Sequence, residues 1–284
     1  MSRQITKNQH YVPQTYLSNW ECLEQRGNLY SYDTKNKYPQ RRKAICSICS
    51  SEYGYELKTR QGDIVALNLF EKRLGSMETY FDTFYKKLEC FALRQSITEE
   101  EKEFWIQWIV LQILRHPKII KGVEQKFRED SLLVDSYVAH EWALLGCLDV
   151  LFPKINITDN IELTNFISIH KGKSFWYLCN IFYKLDMKIA VNKQCSFITT
   201  DNPVVGLGNF DIVVFPISPK FCFILSKIKQ PYNTTFFITD SKMYERIIAI
   251  MVTDPVSQYI YSKQRFNEDE MEFINALLAR KFHA

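Results

Sequence analysis

Six polar residues stand in otherwise apolar or structural contexts: His10, Glu71, Glu78, Arg115, Asp201 and Asn202. Together they offer an imidazole, carboxylates, a fixed cation and an amide. That inventory suits metal-assisted hydrolysis of a phosphodiester, as in a nuclease acting in bacterial defence or as a toxin. Glu71, Glu78 and Asp201 would hold a hard divalent ion, Mg2+ or Mn2+, through oxygen. The ion would polarise a phosphoryl oxygen and activate water. His10 would act as general base or acid, and Arg115 or Lys220 would neutralise developing charge. A metal-free variant uses His10 as base and Asn202 to position a nucleotide. The competing reading is structural. Buried charge persists only when it is paired. His10 paired to Asp201, and Arg115 to Glu78, would close an internal polar network, and the chain would then act by binding a ligand, a protein partner or a second copy of itself. The six residues are far apart in the chain, so one catalytic site requires His10 and Asp201 to share a pocket.

The elements that must position these residues can be read from spacing. Phe197-Ile198-Thr199-Thr200 is a buried strand that delivers Asp201 and Asn202 to its end, where Pro203 turns the chain. Asp186–Val191 alternates and forms a strand; with the polar turn Asn192-Lys193-Gln194 it predicts a hairpin onto residues 197–201. Ile212–Pro219 and Phe221–Leu225 are consecutive strands with Lys220 between them. Ser257–Ser262 is a last strand, and Leu29–Asp33 an early one. Pro13 opens a short helical turn whose Tyr16, Leu17 and Trp20 dock on the core. His10 precedes it.

Helices fill the middle of the chain. Residues 66–93 carry Leu67, Phe70, Leu74, Met77, Phe81, Phe84 and Leu88 at helical spacing. Glu71 and Glu78, seven positions apart, share one face of it. Thr98 with Glu101 forms a capping box for a helix through Trp105, Trp108 and Leu114 that is apolar nearly all round. It ends at Arg115-His116-Pro117. Helices are also expected over 118–150 and 158–170, an apolar run over 176–183, a helix over 240–252 capped by Asp240 or Ser241, and a terminal helix over 268–281 capped by Asn267. Tyr53–Leu57 is a further strand candidate. The order predicts one α+β domain over residues 1–284, a mixed and mainly antiparallel sheet with a helical middle at about 64–183.

Gln9-His10-Tyr11-Val12-Pro13-Gln14-x-Tyr16-Leu17 resembles the opening motif of an uncharacterised bacterial family, the domain of unknown function DUF4238. The resemblance continues through the Glu71 and Glu78 helix, Leu114-Arg115-His116-Pro117, Phe197–Val204, and Phe215-Pro216-Ile217-Ser218-Pro219. Thr200 stands where the family often has serine, which keeps a hydroxyl. The resemblance implies a single mixed domain and brings no activity with it.

Composition narrows the classes. With 46% hydrophobic and 24% charged residues the chain is an ordinary globular one, and 9 Gly and 9 Pro leave little room for long disordered tracts. The 20 Phe, 16 Tyr and 5 Trp suit a filled core, a ligand cleft or an interface. A net charge of +4 permits nucleic-acid contact without requiring it. Arg41-Arg42-Lys43 is a basic run, read as solvated surface rather than a phosphate site. Cys90 and Cys222, in apolar contexts, are expected to be buried thiols. The pair Cys46 and Cys49 lacks two further ligands of zinc spacing. No signal peptide or membrane span is read, so a cytoplasmic location is expected. No phosphate loop or dinucleotide-binding loop occurs, so no nucleotide cofactor motif is present.

Overall fold

The computed structural model describes residues 8–52, 54, 57–58, 64–66, 69–119, 173–229 and 234–281. The helices expected to reach residue 150 and to cover 158–170 lie outside these residues, as does most of the expected strand Tyr53–Leu57. The chain is α+β, with mostly antiparallel sheets. It divides into two compact units, each assembled from separate stretches of sequence: residues 1–11, 50–84 and 103–183, and residues 12–49, 85–102 and 184–284.

In the first unit, strand β1 (Asn8–His10) pairs antiparallel with β4 (Ser50–Glu52), placing His10 opposite Ser50. A second ladder joins β5 (Leu57–Lys58) to β6 (Ile64–Ala66). Helix α2 (Leu69–Glu89) and helix α3 (Glu99–Leu114) supply the aromatic core of this unit. Phe81 meets Trp108 at 4.8 Å and Trp105 at 5.8 Å between ring centroids, and Phe84 stacks on Phe104 at 3.9 Å. The near-uniform apolarity of α3 has the expected outcome: Trp105, Trp108, Ile109 and Val110 are all fully buried. Helix α4 (Lys173–Tyr183) follows, burying Phe175 and Phe182.

The second unit holds two sheets. One has the order β12-β7-β11-β10-β9, built from β7 (Asp186–Val191), β9 (Val205–Leu207), β10 (Ile212–Pro216), β11 (Phe221–Ser226) and β12 (Phe236–Ile238). Only the β12–β7 pair in it is parallel. The other has the order β3-β2-β13-β8, from β2 (Asn28–Asp33), β3 (Arg41–Ala44), β8 (Thr199–Thr200) and β13 (Tyr259–Ser262), all antiparallel. Helices α5 (Ser241–Thr253) and α6 (Glu268–Lys281) cover a core of Phe197, Ile198, Ile248, Ile260 and Leu278. The short helix α1 (Gln14–Leu17) starts after Pro13 and buries Tyr16 and Leu17 completely, with Trp20 just beyond.

Caps read from sequence form here as hydrogen bonds. Thr98 Oγ1 accepts from Glu101 N at 3.2 Å while Glu101 Oε2 accepts from Thr98 N at 2.7 Å. Asp240 caps α5 through Met243 N at 2.7 Å, and Asn267 caps α6 through Glu270 N at 2.8 Å.

The expected hairpin between 186–191 and 197–201 does not form. Strand β7 pairs with β11 and β12, and β8 pairs with β13. Asn192 turns the chain by its own side chain, accepting from Gln194 N and donating to Ser196 Oγ, and Cys195 takes the left-handed φ of 53°. The segment then leaves the β7 direction, and Phe197 N donates to the Pro219 carbonyl. Cys90 is also a correction. It follows the last residue of α2 and is exposed, whereas Cys222 is buried as expected.

Candidate functional site

The polar residues of the first unit gather around the end of α3. Trp105, Trp108, Gln112 and Arg115 follow one another at three- and four-residue steps, so they line one face of that helix. Arg115 comes directly after Leu114, the last helical residue, where a cation complements the negative end of the helix. Its side chain is 2% exposed, and a guanidinium so deeply buried must be paired. Nη1 donates to Glu78 Oε1 at 3.0 Å, and Nη2 donates to the backbone carbonyl of His10. Glu78 is on the buried stripe of α2 with Leu74, Met77 and Phe81, and its own side chain is 21% exposed. The sequence allowed Arg115 either a helix-terminal role or a carboxylate partner; the carboxylate partner is Glu78.

The structure therefore brings Glu78, Arg115 and the His10 main chain together. The His10 imidazole is buried with the rest of that residue. His116, next to Arg115, accepts at Nδ1 from Lys118 N at 3.2 Å and meets the Tyr11 ring edge-on at 5.6 Å. Gln112 is 2% exposed, and its amide has no hydrogen-bond partner among the described residues. The side chain of Glu71 lies outside the described residues. Among those residues, no three His, Cys, Asp or Glu side chains gather into a group that could hold a metal ion.

Asp201 and Asn202 belong to the second unit, at the end of β8. Two residues of strand make a weak ladder, and side chains complete it. Asp201 is 8% exposed, and its Oδ1 accepts from Gln258 N at 2.9 Å and Tyr259 N at 3.0 Å, while its own N–H donates to the Tyr259 carbonyl. One carboxylate thus ties the end of β8 to the start of β13. Burial pushes the Asp201 carboxyl up to about 6, against the pull of the Tyr259 and Gln258 N–H groups and with a smaller push from Asp254.

Asn202 donates from Nδ2 to Asp254 Oδ2 at 3.0 Å. That oxygen also accepts from Ser257 N at 2.9 Å and lies 2.6 Å from Ser257 Oγ. Ser257 Oγ is in turn 3.0 Å from Thr200 Oγ1, which donates to the Asn202 carbonyl at 2.7 Å. Thr199 Oγ1 lies 2.6 Å from the Tyr16 hydroxyl, which donates to the Pro216 carbonyl at 2.6 Å. Burial holds the Tyr16 phenol well above its ordinary value. Sequence reasoning did not single out Asp254 and Ser257. Their local signal is an Asp three residues ahead of a Ser just past the end of α5, the spacing of a side-chain-capped turn.

Lys220, the other cation considered for charge neutralisation, lies over aromatic faces, 5.0 Å from the Phe91 ring and 5.1 Å from that of Phe221. Near Phe91 a cavity of about 180 Å³ is lined by Phe91, Arg94, Gln95, Val191, Phe236 and Phe237, among others. Arg94 is not available to a ligand there as a free charge. It forks onto both Glu101 oxygens at 2.7 Å and donates to the Lys87 carbonyl at 2.6 Å. Burial opposes the charge on Glu101, but Arg94 and the Thr98 N–H outweigh it and hold the carboxyl below its usual range.

Among the described residues no helix is long and apolar enough to cross a membrane. The family described as "Protein of unknown function (DUF4238)" matches residues 8–275 of the chain. No curated protein matches it, and no solved structure does.

Proposed function

The chain belongs to the DUF4238 family, and we propose that it is a non-catalytic binding module whose motif residues maintain the fold. The observation that carries this reading is the use made of Asp201. Its Oδ1 is committed to two backbone N–H groups inside the protein, and the residue is 8% exposed. A carboxylate that holds a catalytic cation keeps its oxygens for the ion and for substrate. Arg115 is committed in the same way to Glu78 and the His10 carbonyl. Asn202 serves Asp254. Such bonds fix register and turn geometry, and they leave recognition to other surfaces.

One observation favours the hydrolase reading instead. A carboxyl that titrates near 6 suits a general base working close to neutral pH. The two readings separate in one assay. Purified protein is incubated with DNA, RNA and nucleotides, with and without Mg2+ or Mn2+, beside His10→Ala and Asp201→Asn. A binding module gives no turnover in any arm. Metal-dependent turnover by the wild type that disappears in a folded Asp201→Asn protein would overturn the proposal.

A further inference from the structure

The second unit carries a concentrated positive surface. Residues 26–47 contain Arg26, Lys35, Lys37, Arg41, Arg42 and Lys43 against one acid, Asp33. Six cations and one anion give this stretch +5, more than the +4 of the whole chain. All six cations are exposed. None of them forms a salt bridge among the described residues, where the ion pairs lie elsewhere. The lone acid is turned into its own loop, accepting from Lys35 N, Asn36 N and Asn36 Nδ2.

The backbone carries these charges on one hairpin, with Lys35 and Lys37 between β2 and β3 and Arg41 to Lys43 on β3 itself, where successive side chains point to alternate faces. Among the described residues, strand β3 is an edge of its sheet, hydrogen-bonded to β2 alone, with Arg41 opposite Ser31, Arg42 opposite Tyr30 and Lys43 opposite Leu29. Gln40 fixes the start of the strand, donating to Ser262 Oγ at 2.7 Å and accepting from Phe266 N at 2.7 Å. Just before it, Tyr38 is 57% exposed, with the Arg41 guanidinium 5.9 Å from its ring centroid. Along the chain the order is Lys35, Lys37, the exposed Tyr38 ring, then Arg41, Arg42 and Lys43. Charged edge strands also resist edge-to-edge pairing. That role does not need charges continued into the turn at Lys35 and Lys37, nor an aromatic ring held in solvent.

We propose that the β3 edge is a docking surface for single-stranded nucleic acid, with the five cations from Lys35 to Lys43 on the phosphates and Tyr38 stacking on a base. Charge complementarity selects a polyanion, and the exposed ring selects one with unstacked planar groups. This rests on the binding-module reading and supplies its partner class.

The test is fluorescence anisotropy of the whole chain with labelled single-stranded DNA and RNA in EDTA, over a range of salt. Each phosphate contact on a single strand contributes a slope of about −0.7, so five give about −3.5, a loss of about a hundredfold in affinity between about 50 and 200 mM salt. Arg41→Gln/Arg42→Gln/Lys43→Gln should reduce that loss to under about tenfold. Lys35→Gln/Lys37→Gln, in the turn outside the ladder, gives an independent reading and should flatten the slope by about 1.4. Tyr38→Ala should weaken binding by about tenfold or more and leave the slope unchanged. Lys86→Gln/Lys242→Gln/Arg246→Gln, a control of equal charge, should match the wild type. The proposal is overturned if oligonucleotides do not bind at low salt, if the control flattens the slope as much as the strand variant, or if phosphatidylserine vesicles bind and oligonucleotides do not. Absence of binding leaves the non-catalytic reading standing. Cleavage of the oligonucleotides in Mg2+ or Mn2+ removes that reading, and the slope in EDTA still decides the docking surface.

Discussion

Replacing Asp201 by Asn separates a structural carboxylate from a catalytic one. Asn keeps an Oδ1 that can accept from Gln258 N and Tyr259 N, the two bonds the carboxylate makes at 2.9 and 3.0 Å. It loses the charge and turns the second oxygen into an NH2 donor. Burial lifts the Asp201 carboxyl from an ordinary 3.8 to about 6. The folded state therefore binds the proton more tightly than the unfolded chain. Stability from this group is fully present below about pH 3.8 and is lost as pH rises through about 6. The gap corresponds to about 3 kcal/mol at pH 8, as an order of magnitude. Asp201→Asn should thus be as stable as the wild type at pH 4 and more stable at pH 8, by up to about 3 kcal/mol. Asp201→Ala removes the acceptor and leaves two backbone N–H groups without it, which costs about 1–3 kcal/mol for each at both pH values. Urea unfolding of the three proteins at pH 4, 6 and 8, followed by circular dichroism, measures these differences. The reasoning is refuted if Asp201→Asn is as destabilised as Asp201→Ala, or if its gap from the wild type does not widen as pH rises.

Three further substitutions probe the same unit by thermal unfolding. Tyr16→Phe removes a fully buried hydroxyl from Thr199 Oγ1 and the Pro216 carbonyl, and it should destabilise by about 1–3 kcal/mol; an unchanged melting temperature would show that the hydroxyl is dispensable. Glu101→Ala strips the fork from Arg94 and the cap from Thr98 N, so it should cost about 3–5 kcal/mol against about 1 for Thr98→Ala. Glu101 titrates below its usual value, so its contribution is present at neutral pH and is lost as pH falls through the lowered value. Equal losses from the two substitutions would contradict the ranking.

Local features of this chain were legible in its sequence. A cap needs only residues three apart: the Thr98–Glu101 box forms as read, and Asn267 caps α6 as read, with a return bond from Asn267 N to Glu270 that was not read. The strands on either side of Lys220 are likewise neighbours in the sheet as in the chain. Pairing over distance was not legible. Asn192-Lys193-Gln194 has the composition of a hairpin turn, but the left-handed Cys195 and the Asn192 side-chain bonds send the chain elsewhere. The partner of Thr199-Thr200 is a strand 60 residues further on, Ile260 and Tyr261. For the same reason spacing could mark Asp201 and Asn202 as special but not their partners. Arg115 and Glu78 were the exception. A cation at the end of an all-apolar helix needs a counter-charge, and Glu78, one of the two carboxylates read on one face of α2, supplies it.

The Phe197–Val204 motif is polar where it is because β8 is too short to hold itself. Its four polar side chains each reach a distant group: Thr199 to Tyr16, Thr200 to Ser257, Asp201 to the backbone of 258 and 259, and Asn202 to Asp254. An apolar substitution at any of them would preserve the hydrophobic pattern and lose a pin between segments that the pattern alone does not register. Side chains so employed are poor candidates to meet a ligand, since releasing one leaves a buried group unpaired. On the binding-module proposal, recognition would fall instead to charged groups without an ion-pair partner. The proposed β3 surface is of that kind: its five cations from Lys35 to Lys43 are exposed and form no salt bridge among the described residues.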